Sequence, residues 1–173
     1  MPQAAEAQIS TPKYSNEFLR LGVGARAAGM GNSQAAIVDD IAASYWNPAG
    51  LTRLDYKNSV GLMHSEYFAG IAKYDWAAFA TEIEEGRHLG LSFIRLGVDD
   101  IPNTLNFFDG TNFDYSRITR FAVADLAFML SYAQAVKKVP GLSAGANLKV
   151  INRRVGPFAN AWGFGLDFGL QYH

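Results

Sequence analysis

In the run Trp162-Gly163-Phe164-Gly165-Leu166-Asp167-Phe168-Gly169-Leu170-Gln171-Tyr172-His173 every second residue is apolar, from Trp162 through Phe164, Leu166, Phe168 and Leu170 to Tyr172. The residues between them are Gly163, Gly165, Asp167, Gly169, Gln171 and His173. A period of two is the signature of a β-strand, whose successive side chains point to opposite faces. One face of this strand is wholly apolar, with aromatic rings at both ends. That is the profile of a strand crossing a bilayer, where Trp and Tyr sit at the two water interfaces. The opposite face, mostly glycine with a few polar groups, is a poor solvent face for a sheet in water.

The same design recurs upstream. Leu126, Phe128, Leu130 and Tyr132 alternate with Asp125, Ala127, Met129, Ser131 and Ala133. Leu89, Leu91 and Phe93 alternate with Gly90 and Ser92, and Leu142, Ala144, Ala146, Leu148 and Val150 with Ser143, Gly145, Asn147 and Lys149. The pattern predicts six strands, at 57–63, 72–83, 88–96, 121–134, 142–152 and 162–173, several of them near the roughly 9 to 11 residues of a tilted crossing. The connections 84–87 and 137–141 read as tight turns, 97–120 as a long loop and 153–161 as an intermediate one. Short and long links alternate in bacterial barrels, and a first strand running outward puts both tight turns on the periplasmic side. The link 64–71 is shorter than that scheme requires.

Composition agrees with this class. The chain has 173 residues, of which 13% are aromatic and only 18% charged, against roughly 25% charged in soluble globular domains. Mean hydropathy is −0.01, and no run of about 18 apolar residues occurs, so helical membrane spans are excluded. Alternating strands keep mean hydropathy near zero. The net charge of −1 and dispersed Lys and Arg residues provide no basic field for nucleic acid. With no Cys there is no disulfide framework, thiolate nucleophile or cysteine zinc site.

The N-terminal third reads differently. Ala5-Glu6-Ala7 before Gln8 has the small-x-small form cut by signal peptidase, so residues 1–7 are read as the tail of a signal peptide. An alanine-rich terminus is the alternative. Gly22-Val23-Gly24-Ala25-Arg26-Ala27 invites comparison with a dinucleotide-binding loop, but that motif needs a helix and then a parallel strand ending in an acid. Neither follows, and close backbone packing inside a barrel is the preferred role for these glycines. Asp39 and Asp40 can cap a short helix over 41–45, which Asn47-Pro48 then stops because proline disfavours α conformation at Asn47. Gly50 is read as giving freedom to turn before Leu51.

Taken together, Phe18 to Gly31, the Asp39-Asp40 pair and Tyr45-Trp46-Asn47-Pro48-Ala49-Gly50-Leu51 resemble the opening of the PorV/PorQ proteins of the type IX secretion system. Further similar stretches are His64 to Tyr74, Gly97 to Thr104 and Trp162 to Asp167. A more distant resemblance is to FadL-type channels for hydrophobic compounds, whose Asn-Pro-Ala-Gly segment lies near an N-terminal plug. The resemblance implies an all-β fold, a transmembrane antiparallel up-and-down barrel of about fourteen strands in a Gram-negative outer membrane. Residues 8–55 are then a plug or hatch, with Asn47, Pro48, Ala49 and Gly50 as its motif, and 56–173 the first six strands. Six strands cannot close a barrel, and open edges in lipid leave backbone groups unpaired, so further strands are expected beyond His173.

The resemblance implies a role in type IX secretion, with the translocon, secreted cargo proteins and outer-membrane lipid as partners, and no cofactor or enzymatic activity. The alternative it leaves is a FadL-like passage for hydrophobic small molecules such as fatty acids. For cargo, the expected contact is the long outer loop, with Asp99, Asp100, Ile101, Asn103, Leu105, Phe107, Phe108 and Asp109 as candidate partner-binding residues. The alternative is that Phe107 and Phe108 fold inward and close the barrel mouth. Asp125, Asn147, Lys149 and Asp167 are expected to face the lumen, paired with one another or lining a substrate path. Arg153 and Arg154 are expected at the rim, touching anionic outer-leaflet lipid or solvated, with solvation the preferred reading. His64 and Glu66 share a strand face, but a metal needs a third ligand, and no nucleophile with a paired base is present.

Overall fold

A computed structural model of the protein describes residues 16–108, 110 and 112–173; the expected leader at 1–7, the first part of the 8–55 segment and Asp109 lie outside the described residues. Six strands form one antiparallel sheet in the order β1-β2-β3-β4-β5-β6, every strand paired with its neighbour in sequence. They are β1 Asn58–Tyr67, β2 Ala72–Glu84, β3 Arg87–Asn103, β4 Thr119–Ala135, β5 Leu142–Val155 and β6 Ala159–Tyr172. Up-and-down order follows from short hairpin links, which antiparallel strands alone permit.

Several elements differ from the sequence-based expectation. Strand β1 runs to Tyr67 and not to 63, so the link expected at 64–71 shortens to 68–71. Strand β5 extends to Val155 and β6 starts at Ala159, so the link expected at 153–161 is a tight turn over 156–158. Strand β3 continues to Asn103, seven residues beyond the expected end at 96, so Asp99, Asp100, Ile101 and Asn103 belong to the sheet and not to the loop. The alternation is interrupted by a bulge between Val98 and Ile101, where Asp100 adopts a φ of 58°. An extra residue in one strand breaks the period of two and hides the continuation. The helix expected over 41–45 is instead α2, Ala43–Trp46. Beyond it the chain does not simply turn, but enters a 3-10 helix, Pro48–Arg53.

The N-terminal segment, with α1 Ala25–Gly29 and α2, lies on one face of the sheet. The glycine run does enter a helix, but α1 has five residues and every strand pair in the sheet is antiparallel, so the βαβ frame of a dinucleotide site is not formed. Phe18, Val23, Val38, Ala42, Ala43 and Leu51 from this segment bury against Tyr74, Trp76, Ile94, Ala127, Met129 and Ile151 from the strands. On β3 and β4, Ile94, Ala127 and Met129 alternate with Phe93, Leu126, Phe128 and Leu130, whereas on β2 the large side chains, Tyr74 and Trp76, are themselves the inward ones. The opposite face carries large apolar side chains uncovered: Phe128 is 51% exposed, Phe164 77% and Phe168 81%. One face of the sheet is thus occupied by the chain itself, and the other presents an apolar field.

Candidate functional site

The seat of the N-terminal segment is built from small and polar side chains that the strands turn inward. Pro48 forces Asn47 to extended backbone, φ −161° and ψ 104°, consistent with the steric demand of a following proline ring. In that conformation the Asn47 carboxamide oxygen accepts from the Ala49 N–H at 3.1 Å and caps the 3-10 helix. Its nitrogen donates to the carbonyls of Ala35 at 2.9 Å and Leu170 at 3.1 Å. One side chain therefore ties the turn to its own segment and to β6. Asp40, not Asp39, serves the approach to α2, accepting from the Ala42 N–H at 2.9 Å; Asp39 pairs with Arg26 at 2.6 Å.

Two glycines make this approach possible. A side chain at Gly145 on β5 would stand 2.5 Å from the Ala49 nitrogen, and one at Gly169 on β6 would collide with the Asn47 carboxamide. Backbone so close to a strand needs a residue without Cβ. Gly50 is also required for packing, because a Cβ there would collide with the Val38 carbonyl, rather than for freedom to turn. All four residues of the Asn47-Pro48-Ala49-Gly50 motif are buried.

A polar seam draws on strands β3, β5 and β6. The Ser92 hydroxyl on β3 donates to the Ser44 hydroxyl at 2.8 Å, and the Asn147 amide on β5 donates to the Ser44 carbonyl at 2.9 Å. The Gln171 amide on β6 donates to the carbonyls of Ala36 and Val38 at 3.0 and 3.1 Å. Buried backbone carbonyls outside a regular element need donors, and the strands supply them. Sequence reasoning missed Ser44, Ser92 and Gln171, because their acceptors are carbonyls that leave no mark in the residue code. Their one visible trait is polarity at positions alternating with large apolar residues.

Asp125, Asn147, Lys149 and Asp167 all lie on this same face. Lys149 pairs with Asp167 at 2.6 Å, and the Asn147 amide also reaches Asp167 at 3.4 Å. Asp125, 7% exposed, receives two bonds from the Arg153 guanidinium at 2.5 and 2.7 Å. Arg153 is therefore a bidentate partner of Asp125, with its side chain still 48% exposed. A cavity of about 440 Å³ lies where Asn47 and Trp46 face Lys149, Asp167 and Gly169. The Tyr45 hydroxyl beside it donates to the Leu19 carbonyl, and burial pushes its pKa above the ordinary phenol range.

At the loop end the β3–β4 connection folds on itself. Phe107 packs on Phe113 at 5.4 Å and on Tyr115 at 6.1 Å, and Phe108 on Phe113 at 4.8 Å between ring centroids. Leu105, Phe108, Phe113 and Tyr115 remain exposed. On the outer face of β1–β3, His64 is joined to Asp75 at 2.6 Å and to Glu66 at 3.5 Å. Among the described residues no group of three or more acidic and His side chains is arranged to hold a metal ion.

A scan of protein-family models finds no match. Neither the curated proteins nor the solved structures contain a significant match to this chain. The seam, the paired charges and the aromatic loop therefore have to speak from their own chemistry. The amide nitrogens of Asn147 and Gln171 are spent on the segment's carbonyls, while their buried amide oxygens find no protein partner among the described residues; the seam holds the segment through its donors.

Proposed function

We propose that this chain is the opening portion of an outer-membrane β-barrel that acts in type IX protein secretion, receiving exported cargo and passing it to the surface attachment machinery. The reading is supported above all by the two-sidedness of the sheet. Its outward rings, Phe128, Phe164 and Phe168, lie bare while the inward side chains are consumed in holding the N-terminal segment. Water would penalise such an uncovered apolar field, and hydrocarbon would not. The sheet's two edges, β1 and β6, call for further strands in lipid.

A carrier for proteins is preferred to a passage for hydrophobic molecules because the inner face is filled and the cavity beside Asn47 is lined by Lys149 and Asp167. An apolar ligand gains nothing from a charged wall. Cargo contact is assigned to the β3–β4 loop, which exposes Leu105 and the packed pair Phe108 and Phe113. Rigid aromatic anchors of this kind dominate protein interfaces.

The test takes the full-length protein from outer-membrane preparations. It should require detergent, migrate differently with and without boiling, and copurify secreted cargo. Replacing Leu105, Phe107 and Phe108 by serine should abolish cargo capture and leave heat-modifiable migration intact. A detergent-independent soluble protein would reject the membrane reading. Undiminished cargo capture by the triple variant would reject the loop assignment, and retention of a fatty ligand in place of cargo would reject the carrier reading, with the membrane reading standing in either case.

A further inference from the structure

On the outer face of β1–β3 the apolar field ends early. The register aligns Leu62 with Ala77 and Phe93 in one row across the three strands, and His64 with Asp75 and Arg95 in the next. Glu66 stands opposite Lys73 in the row after that. Successive rows on one face are about 7 Å apart, so a strip of alternating charge lies immediately beside the apolar rows. On β6, by contrast, the same face stays apolar from Trp162 to Tyr172.

The apolar rows here are not flat. A depression of about 470 Å³ lies over Ala77, walled by Leu62, Phe79, Leu91, Phe93 and Phe128. Its origin is the small Ala77 side chain set among rings and leucines. The volume is within the range of small-ligand sites, and an apolar lining that faces away from the chain's own core has no occupant from the N-terminal segment.

The charges beside the depression have capacity left. Arg95 contacts Asp75 and Asp99, each at 3.4 Å, and Lys73 reaches Asp99 at 3.8 Å. These are loose pairs, longer than the roughly 2.7–2.9 Å of tight charged hydrogen bonds. Arg95 and Lys73 therefore retain N–H groups for a phosphate. His64 holds one Asp75 oxygen at 2.6 Å, and Glu66, 3.5 Å from His64, with the other Asp75 oxygen, 3.4 Å from Arg95, offers the negative side to an ammonium. The strip has both signs within one or two rows and matches neither a purely anionic nor a purely cationic group.

We infer that the depression over Ala77 and the charge strip of Lys73, Glu66, Asp75 and Arg95 form a binding site for one zwitterionic glycerophospholipid, its acyl chain on Ala77 and its phosphate and ammonium on the strip. The inference rests on the membrane reading above and adds a specific, stoichiometric lipid to it. Bulk lipid covers any outward apolar face; here shape and paired charge single out one molecule.

The experiment uses the full-length, detergent-purified protein, delipidated and then exposed to phosphatidylethanolamine, phosphatidylglycerol or lipid A, with adducts counted by native mass spectrometry. Wild type should hold one phosphatidylethanolamine in preference to the other two. A77F, which fills the depression, and the double variant K73Q/R95Q, which removes the phosphate ligands, should each lower its retention by about tenfold. Heat-modifiable migration shows that each variant is folded, and F168L, remote from the site, should retain lipid as wild type does. If folded A77F and folded K73Q/R95Q both keep the lipid, or if phosphatidylglycerol or lipid A is preferred, the site is not the one inferred. A protein that is soluble without detergent sinks the membrane reading itself, a separate failure from that of an inserted protein with no preferred lipid. Should A77F not fold, K73Q/R95Q decides.

Discussion

The carboxamide of Asn47 donates to the carbonyl of Leu170 across 123 positions of sequence. With its bonds to Ala35 and Ala49 it makes Asn47 the joint between the N-terminal segment and the last strand. Asn47→Ala removes one cap and two donors at a buried position. The expected loss is about 2–3 kcal/mol, seen as a lower midpoint in denaturant unfolding and as faster proteolysis ahead of Pro48. An unchanged midpoint would show that the joint is held by Pro48 and Gly50 alone.

Gly169→Ala should act on the same joint from the other side, since its methyl group would occupy the space of the Asn47 carboxamide. Overpacking of this kind costs about 1–3 kcal/mol. Gly163→Ala is the control, because a Cβ there meets Ile151 only at 3.8 Å. Thermal melting of both variants should separate them clearly.

Phe168→Lys tests the outward face. In a bilayer a lysine near the midplane costs about 2–4 kcal/mol, so the variant should insert poorly into vesicles and lose heat-modifiable migration. If the face were bathed in water, the same change would improve solubility and leave folding intact.

Arg153→Ala leaves the buried Asp125 carboxylate without its guanidinium partner. Removing one member of a buried pair is costlier than removing both. Arg153→Ala should therefore be less stable than the double variant with Asp125→Ala, a coupling that a double-mutant cycle measures directly.

Asp114 provides a pH test in the loop. Its carboxylate accepts from the Ser116 hydroxyl and the Ser116 N–H, and these bonds, with help from Arg117, hold its pKa below the ordinary carboxylate range. A lowered folded pKa means that the contribution is complete above the unfolded value and is lost as pH falls through the folded one. Protection of the Ser116 amide against hydrogen exchange, corrected for intrinsic rates, should persist down through the ordinary carboxylate range and collapse only in stronger acid. Asp114→Asn should weaken that dependence at every pH.

Much of the sheet was legible because alternation is a property of single strands. The outward set on β4 and β6, from Leu126 to Tyr132 and from Trp162 to Tyr172, faces as its period requires. The tail of β3 was not legible, since the bulge at Val98 to Ile101 shifts the phase and places two aspartates where a loop is the natural reading. The position of Asn47-Pro48-Ala49-Gly50 as a distinct motif could be read locally, whereas its partners could not. Gly145, Gly169 and Gln171 announce themselves as small or polar, but only the packed structure says that they answer to Ala49, Asn47 and the carbonyls of Ala36 and Val38. The pairing of Arg153 was not legible for a related reason: Asp125, its partner, lies 28 positions earlier.

The long span between Asn47 and Leu170 has a bearing on timing. Donors from Asn147 and Gln171 reach Ser44, Ala36 and Val38 only after the fifth and sixth strands exist, and contacts so distant in sequence are slow to form. The first-made portion of the polypeptide is thus among the last to find its resting place. Until then its carbonyls and its apolar side chains stand unprotected, and an assembly helper that shields them would speed maturation without changing the final state.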